Sequence, residues 1–252
     1  MDQGRHGVAL FGLGRIGVEH FKNMLSHPGL SLLWVIEQDI QRAKDILIKF
    51  QQCNSTKITT PAEDAQVFAD ERVHGIVVCT PSFTHVDIIL KAVKAGKAIF
   101  CEKPVSPTLE GVMQVYTEAQ KQKIPLFCGF NRRFDQQIRK IHDYAQDGRV
   151  GKIHVIKMCS RDPAGKTATP EYYKNYGGFP NDSAVHDIDV VCWLMKERPI
   201  SVYAVGHAHT SDYVAMGDVD TLVIVLNFPS GAKGIIDMSR NSPYGFDQRI
   251  EG

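Results

Sequence analysis

Gly7-Val8-Ala9-Leu10-Phe11-Gly12-Leu13-Gly14-Arg15-Ile16-Gly17 joins an apolar run to the pattern G-x-G-x-x-G. A short apolar block closed by glycine reads as a buried strand, and the following EHFKNML places apolar residues at helical spacing. The glycines therefore occupy a strand-to-helix turn. In such a turn the first glycine permits the tight bend, the second lets backbone approach a pyrophosphate, and the third lets helix pack on strand. The helix N-terminus supplies amide donors for the anion. Gly12, Leu13, Gly14, Arg15, Ile16 and Gly17 are thus a candidate phosphate cradle.

The six-residue pattern alone is weak, and its context makes it specific. Glu37 falls twenty residues after Gly17, at the end of the next apolar run SLLWVIE. A carboxylate there accepts hydrogen bonds from ribose hydroxyls and repels a 2′-phosphate, which favours NAD over NADP as the cofactor. Arg42, in the first turns of the following helix, either swings towards the ribose and softens that preference or lies on a solvated face.

Working outward, HGIVVCT, KAIFCE and PLFCGF are further apolar blocks, with a weaker KITT. They alternate with the amphipathic stretches DIQRAKDILIKF, PAEDAQVFAD, HVDIILKAVKA and LEGVMQVYTEAQKQ. Strands that read as blocks are buried on both faces, so the expectation is an α/β, doubly wound parallel sheet of Rossmann type covered by helices. After Gly148 the rhythm changes to KIHVIKMCSRD, ISVYAVGHAHT, TLVIVLNF and AKGIIDMS, with turns at Pro229-Ser230-Gly231 and near Asn241-Ser242-Pro243. That is an α+β domain with a mostly antiparallel open sheet. One helix is expected from Asn181 or Asp182 through SAVHDIDVVCWLM, with Asn or Asp as its N-cap. The expected division is 1–130 for cofactor and 131–252 for substrate and oligomerisation, with a long functional loop from Pro163 to Pro180.

Composition narrows the partners. Lys plus Arg total 29 against 28 for Asp plus Glu, so no global field attracts nucleic acid or a membrane surface. No apolar stretch approaches the length of a bilayer span, and MDQGRHG lacks the regions of a signal peptide. Six cysteines without a C-x-x-C pair fit a reduced, cytoplasmic protein, and His207 with His209, lacking Cys or acid partners, is not read as a metal site.

Cys79-Thr80-Pro81-Ser82-Phe83-Thr84-His85, AGKAIFCEKP, GFNRRFD from Gly129, SRDP from Ser160 and GGFPNDSAVHDID from Gly177 extend the ordered set over nearly the whole chain. With them the chain resembles the Gfo/Idh/MocA oxidoreductase family, and within it the inositol 2-dehydrogenases. The resemblance implies that Lys103, Asp182 and His186 do the catalytic work. Thr80, Pro81 and His85 then line the nicotinamide side of the cleft, and Glu102 counts among the cofactor residues.

The residues themselves suit that chemistry. Oxidising a secondary alcohol needs a base, a stabiliser of developing alkoxide and a placed nicotinamide. Lys103 follows a strand end in Glu102-Lys103-Pro104, at the edge where open α/β sheets bind ligands. Asp182 and His186 stand i, i+4 on the expected helix, on one face. Arg133, Arg161 and Tyr244 are weaker substrate candidates; a structural charge pair competes as the role of each arginine. Asp187 and Asp189 are taken as structural.

Two departures from the family stand out. Family members continue beyond Phe246-Asp247-Gln248-Arg249-Ile250-Glu251-Gly252 with further strands and a helix, so the resemblance makes the second domain incomplete, in a fragment or splice product or with a partner over the open edge. Tyr244-Gly245-Phe246-Asp247 also replaces the Tyr-Gly-Tyr-Asp common in inositol dehydrogenases, which removes one possible substrate hydrogen bond. The leading expectation is transfer of hydride from a ring CH–OH of a cyclic polyol, inositol or sugar, to NAD. The alternatives are a sugar or amino-sugar oxidoreductase of the same family and a catalytically weak NAD-binding module. A homo-oligomer through the C-terminal sheet is the assembly that the resemblance implies.

Overall fold

Strand β1 (His6–Phe11) is buried along both faces. Its Val8 and Leu10 pack with Leu32 and Val35 in one apolar cluster, while Ala9 and Phe11 join Trp34, Ile36 and Val78 in another. This two-sided burial is why the strand reads as an unbroken apolar block. A computed structural model describes residues 4–165 and 177–252, so 166–176, most of the expected loop, lie outside the described residues. The chain forms two compact units, Met1–Gly129 and Phe130–Gly252.

In the first unit β1 is followed by α1 (Arg15–Ser26), β2 (Leu30–Ile36), α2 (Ile40–Lys49), β3 (Lys57–Thr59), α3 (Ala65–Ala69) and β4 (Val73–Val78). Then come α4 (His85–Lys94), β5 (Ala98–Cys101), α5 (Leu109–Lys121) and β6 (Leu126–Cys128). Six parallel strands run in the order β3-β2-β1-β4-β5-β6. The order reverses between β1 and β4, the switch point at whose carboxyl ends open α/β sheets bind ligands. Helices α1 and α2 supply Phe21, Met24, Ala43 and Leu47 to one cluster; α4 and α5 supply Ile88, Ile89, Val93 and Val115 to the other.

The second unit holds α6 (Gln136–Gln146), β7 (Val155–Pro163), a π-helical turn (Pro180–Ala184), α7 (Val185–Met195) and β8 (Ser201–His207). A short α8 (Ser211–Met216), β9 (Thr221–Asn227), β10 (Lys233–Ser242) and β11 (Asp247–Glu251) follow. The sheet order is β11-β7-β10-β9-β8, antiparallel except for the β7–β10 pair. Here burial alternates: Ile156 and Met158, Leu222, Ile224 and Leu226, and Ile236 and Met238 pack beneath Ile138 of α6 and Val190, Val191 and Leu194 of α7. One covered face gives the period of two that the sequence displays. Helix α8 is one element that the sequence pattern misses, because SDYVAM is too short to show a helical period.

Ile236 has no exposed surface at the centre of this core. Ile236→Ala is expected to cost about 2–5 kcal/mol in urea denaturation; a loss under about 1 kcal/mol would mean that the sheet does not pack as described.

Candidate active site

The glycine loop is shaped by contacts that no side chain tolerates. A Cβ on Gly17 would lie 2.1 Å from the Gly12 carbonyl oxygen, and Gly12 itself has φ +91° with the Cys79 carbonyl 2.9 Å from an added Cβ. Gly14 is the N-cap of α1, has open space around it, and leaves the helix start without a side-chain cap among the described residues. Exposed amides at that end form an anion site, so these residues fit a dinucleotide pyrophosphate. Arg15 and Ile16 are exposed on the first turn.

Leu13 contributes differently from the expectation. Its side chain is fully buried in the core, and only its amide belongs to the cradle. That amide donates to Glu37 Oε2 at 2.6 Å, while Glu37 Oε1 accepts from the Asp39 amide at 3.1 Å. The acid identified by spacing is therefore tied to the phosphate loop itself. Arg42 is exposed; its amide donates at 3.0 Å to Asp39, the side chain that caps α2.

At the end of β4, Thr80 Oγ1 lies 2.7 Å from Thr84 Oγ1, and Pro81 is exposed. His85, expected to line the cofactor, is instead interior at 1% exposure. Its Nε2 lies 2.8 Å from the Thr80 carbonyl and its Nδ1 2.9 Å from the Pro104 carbonyl, with Cys101 Sγ 3.3 Å from Nδ1. Burial pushes its pKa down against those two carbonyls. His85 thus fastens the strand-end segments on either side of it and presents no ring edge to solvent.

Lys103 follows β5 between two such fastened neighbours. Glu102 donates its amide to the Val78 carbonyl at 2.9 Å, and its Oε1 meets His20 Nε2 at 2.7 Å. Glu102 Oε2 accepts from the Lys103 amide at 3.2 Å. His20, on α1, is a residue that sequence reasoning missed, since its partner lies 82 positions away.

In the second unit Asp182 and His186 do stand on consecutive turns, but not on one capped α-helix. Asp182 lies inside the π-helical turn, and α7 starts at Val185 with no side-chain cap from Asn181 or Asp182. Asp182 Oδ2 instead meets Arg240 Nη2 at 2.5 Å, a residue that sequence reasoning also missed. His186 contacts the Phe130 ring edge to face at 6.2 Å between centroids. Beside it Asp187 is fully buried against Arg132 and accepts from Ser160 Oγ at 3.1 Å; burial pushes its pKa up, opposed by Arg132.

The three weaker candidates are engaged elsewhere within this unit. Arg133 makes a two-pronged pair with Asp189 at 2.8 and 2.5 Å and lies over Trp193. Arg161 pairs with the Asp237 carboxylate and donates to its carbonyl at 2.7 Å, bridging β7 and β10. Tyr244 is exposed in the turn before β11, with its hydroxyl 3.3 Å from Asp247.

Residues 6–130 match the model of an oxidoreductase family with an NAD-binding Rossmann fold, and residues 138–251 match the GFO/IDH/MocA C-terminal domain. The chain belongs to the Gfo/Idh/MocA oxidoreductase family. It is 36% identical to myo-inositol 2-dehydrogenase of Thermotoga maritima over 97% of this chain and 71% of that protein. Inositol 2-dehydrogenase of Rhizobium meliloti is 34% identical over 96% and 71%. The crystal structure of a myo-inositol dehydrogenase from Corynebacterium glutamicum superposes with a TM-score of 0.88 at 30% identity, covering 98% of this chain and 72% of that one. As a Gfo/Idh/MocA member the chain is an oxidoreductase whose cofactor is NAD. Among the described residues no helix is long and apolar enough to cross a membrane.

Two outcomes follow for the first unit. Gly17→Ala is expected to weaken NAD binding at least about tenfold in a fluorescence titration, because helix and loop must separate; unchanged affinity would remove the cradle from cofactor binding. Because burial lowers the folded pKa of His85, the unfolded chain binds more protons below pH about 6.5. Its contribution to stability is complete above that pH and falls as pH drops, so His85→Gln should flatten the decline of Tm between pH 7 and 5; an unaltered slope would contradict the assignment.

Proposed function

We propose that this chain oxidises a ring CH–OH of a cyclic polyol, inositol or a related sugar, to the ketone, and that Lys103, Asp182 and His186 carry the reaction. The observation that carries the reading is the likeness to a myo-inositol 2-dehydrogenase along 97% of the chain. NAD, when bound, accepts the hydride that leaves the carbinol carbon. His186 takes the hydroxyl proton, a task suited to imidazole near neutral pH. Asp182 orients the substrate or stabilises the imidazolium that forms. The Lys103 ammonium stabilises the developing alkoxide and lowers the alcohol pKa. The first unit serves as the NAD domain and the second as the substrate domain.

The polar character of these three groups suits a polyhydroxylated ring, and Glu37, already tied to the phosphate loop, favours NAD over NADP. We also propose a homo-oligomer through the C-terminal sheet; Ile200, Val202, Tyr203 and Val205 of the β8 region, exposed by 52–71%, support it. Six free cysteines support a reduced, cytoplasmic setting.

A spectrophotometric assay of NADH formation over a panel of inositols, sugars and amino sugars tests the reading. Turnover is expected on a cyclic polyol, reduced by at least about 100-fold in Lys103→Ala and His186→Ala while the NAD affinity of His186→Ala stays unchanged. Tight NAD binding without turnover on any member of the panel would replace the dehydrogenase by a binding module.

A further inference from the structure

The π-helical turn Pro180–Ala184 carries Asp182. Such turns are rare, their wider bonding pattern breaks the direction that an α-helix imposes on its side chains, and they recur at functional sites. Something outside the helix must therefore aim the Asp182 carboxylate. Arg240, near the end of β10, reaches this turn across 58 positions of sequence. Its Nη2 lies 2.5 Å from Asp182 Oδ2 and 2.7 Å from Ser183 Oγ. The guanidinium covers the Phe179 ring at 4.5 Å, and Nε lies 3.8 Å from the Asp162 carboxylate.

Both sides of this contact are anchored. Arg240 donates its amide to the Asp220 carbonyl at 2.8 Å, and the Asp220 carboxylate accepts from the His209 and Thr210 amides at 2.8 and 2.9 Å. Just before the turn, Asp218 accepts the Phe179 amide at 2.8 Å. Gly178, at φ +80°, leaves an added Cβ only 3.0 Å from that same carboxylate. The segment is gripped from the sheet side at Phe179, Asp182 and Ser183. The Arg240 and Asp182 side chains retain 7% and 12% of their exposure, so water screens the pair little.

We infer that Arg240 is a positioning residue for the proposed reaction: from the sheet it holds the Asp182 carboxylate ionised and aimed. The inference rests on the reading of Asp182 as catalytic. A guanidinium beside a carboxylate favours its charged form, and a planar group that lies over the Phe179 ring while its Nη2 donates to Asp182 and Ser183 is something that lysine, a single point charge, does not reproduce.

The test uses the full chain with NAD and the polyol it turns over fastest, comparing Arg240→Gln, Arg240→Lys, Asp182→Asn and the Asp182→Asn/Arg240→Gln double variant. Arg240→Gln should lower kcat about 100-fold and Arg240→Lys about tenfold, with NAD affinity unchanged. The acid limb of kcat/KM should move to higher pH in Arg240→Gln, and the double variant should lose no more than Asp182→Asn alone. An unmoved pH profile, or losses that multiply in the double variant, would make Arg240 a structural ion pair and overturn the inference. Full activity of Asp182→Asn would sink the catalytic reading instead. Independently of turnover, carbon NMR of the Asp182 carboxyl in the cofactor-free chain should show a higher titration midpoint in Arg240→Gln; an identical midpoint overturns the inference on its own.

Discussion

A Cβ on Gly17 would lie 2.1 Å from the Gly12 carbonyl, and this close approach of α1 to the end of β1 is the constraint on which the glycine loop depends. Only with hydrogen at that position does α1 pack directly on the end of β1. The same close packing opens the helix start to an anion and brings the Leu13 amide to Glu37. One backbone contact thereby brings together the packing of α1, the glycine loop and the Glu37 carboxylate. The apolar blocks of β1, β2 and β4 follow from the same geometry, since a sheet wound with helices on both sides leaves no strand face for polar residues.

Two of the proposed reactive side chains, Lys103 and Asp182, have neighbours held by groups from distant sequence or meet such a group directly. Lys103 stands between Glu102, which meets His20, and Pro104, whose carbonyl meets His85. Asp182 is met by Arg240. The shared logic is preorganisation: a reacting group serves only where its neighbours prevent it from turning away. The charged residues expected to meet substrate are held in the same way. Arg133 and Arg161 found carboxylates 56 and 76 positions away, and a half-buried guanidinium beside a fixed carboxylate gains more from the pair than from water.

Which parts were legible follows from the range of the interaction that shapes them. The glycine loop, Glu37 and the block strands announce themselves because spacing within thirty-odd residues defines them, and the structure has the doubly wound parallel sheet that they imply. The alternating strands of the second unit were legible for the same reason, one covered face giving a period of two. His85 was misplaced because its neighbours in sequence, Thr80 and Pro81, do lie at a strand end; only the fold shows the ring turned inward on two carbonyls. The π-turn was invisible for a different reason: Pro180–Ala184 directly precedes an α-helix with nothing in its local sequence to mark a wider turn, and its contacts with Arg240 come from 57 and 58 positions away.

That last case bears on how the second unit works as a support. A parallel sheet buried on both faces offers its chemistry at loop ends, whereas the one-sided sheet of the second unit can send a side chain from a strand into the covering layer. Arg240 does this at the end of β10, passing over Phe179, which is itself part of the core beneath. Burying a guanidinium there is costly unless its partners compensate, and removing one partner of such a pair destabilises more than replacing both. A charge kept at that cost, aimed at a carboxylate on an irregular turn, is better explained by the direction it imposes than by the stability it adds.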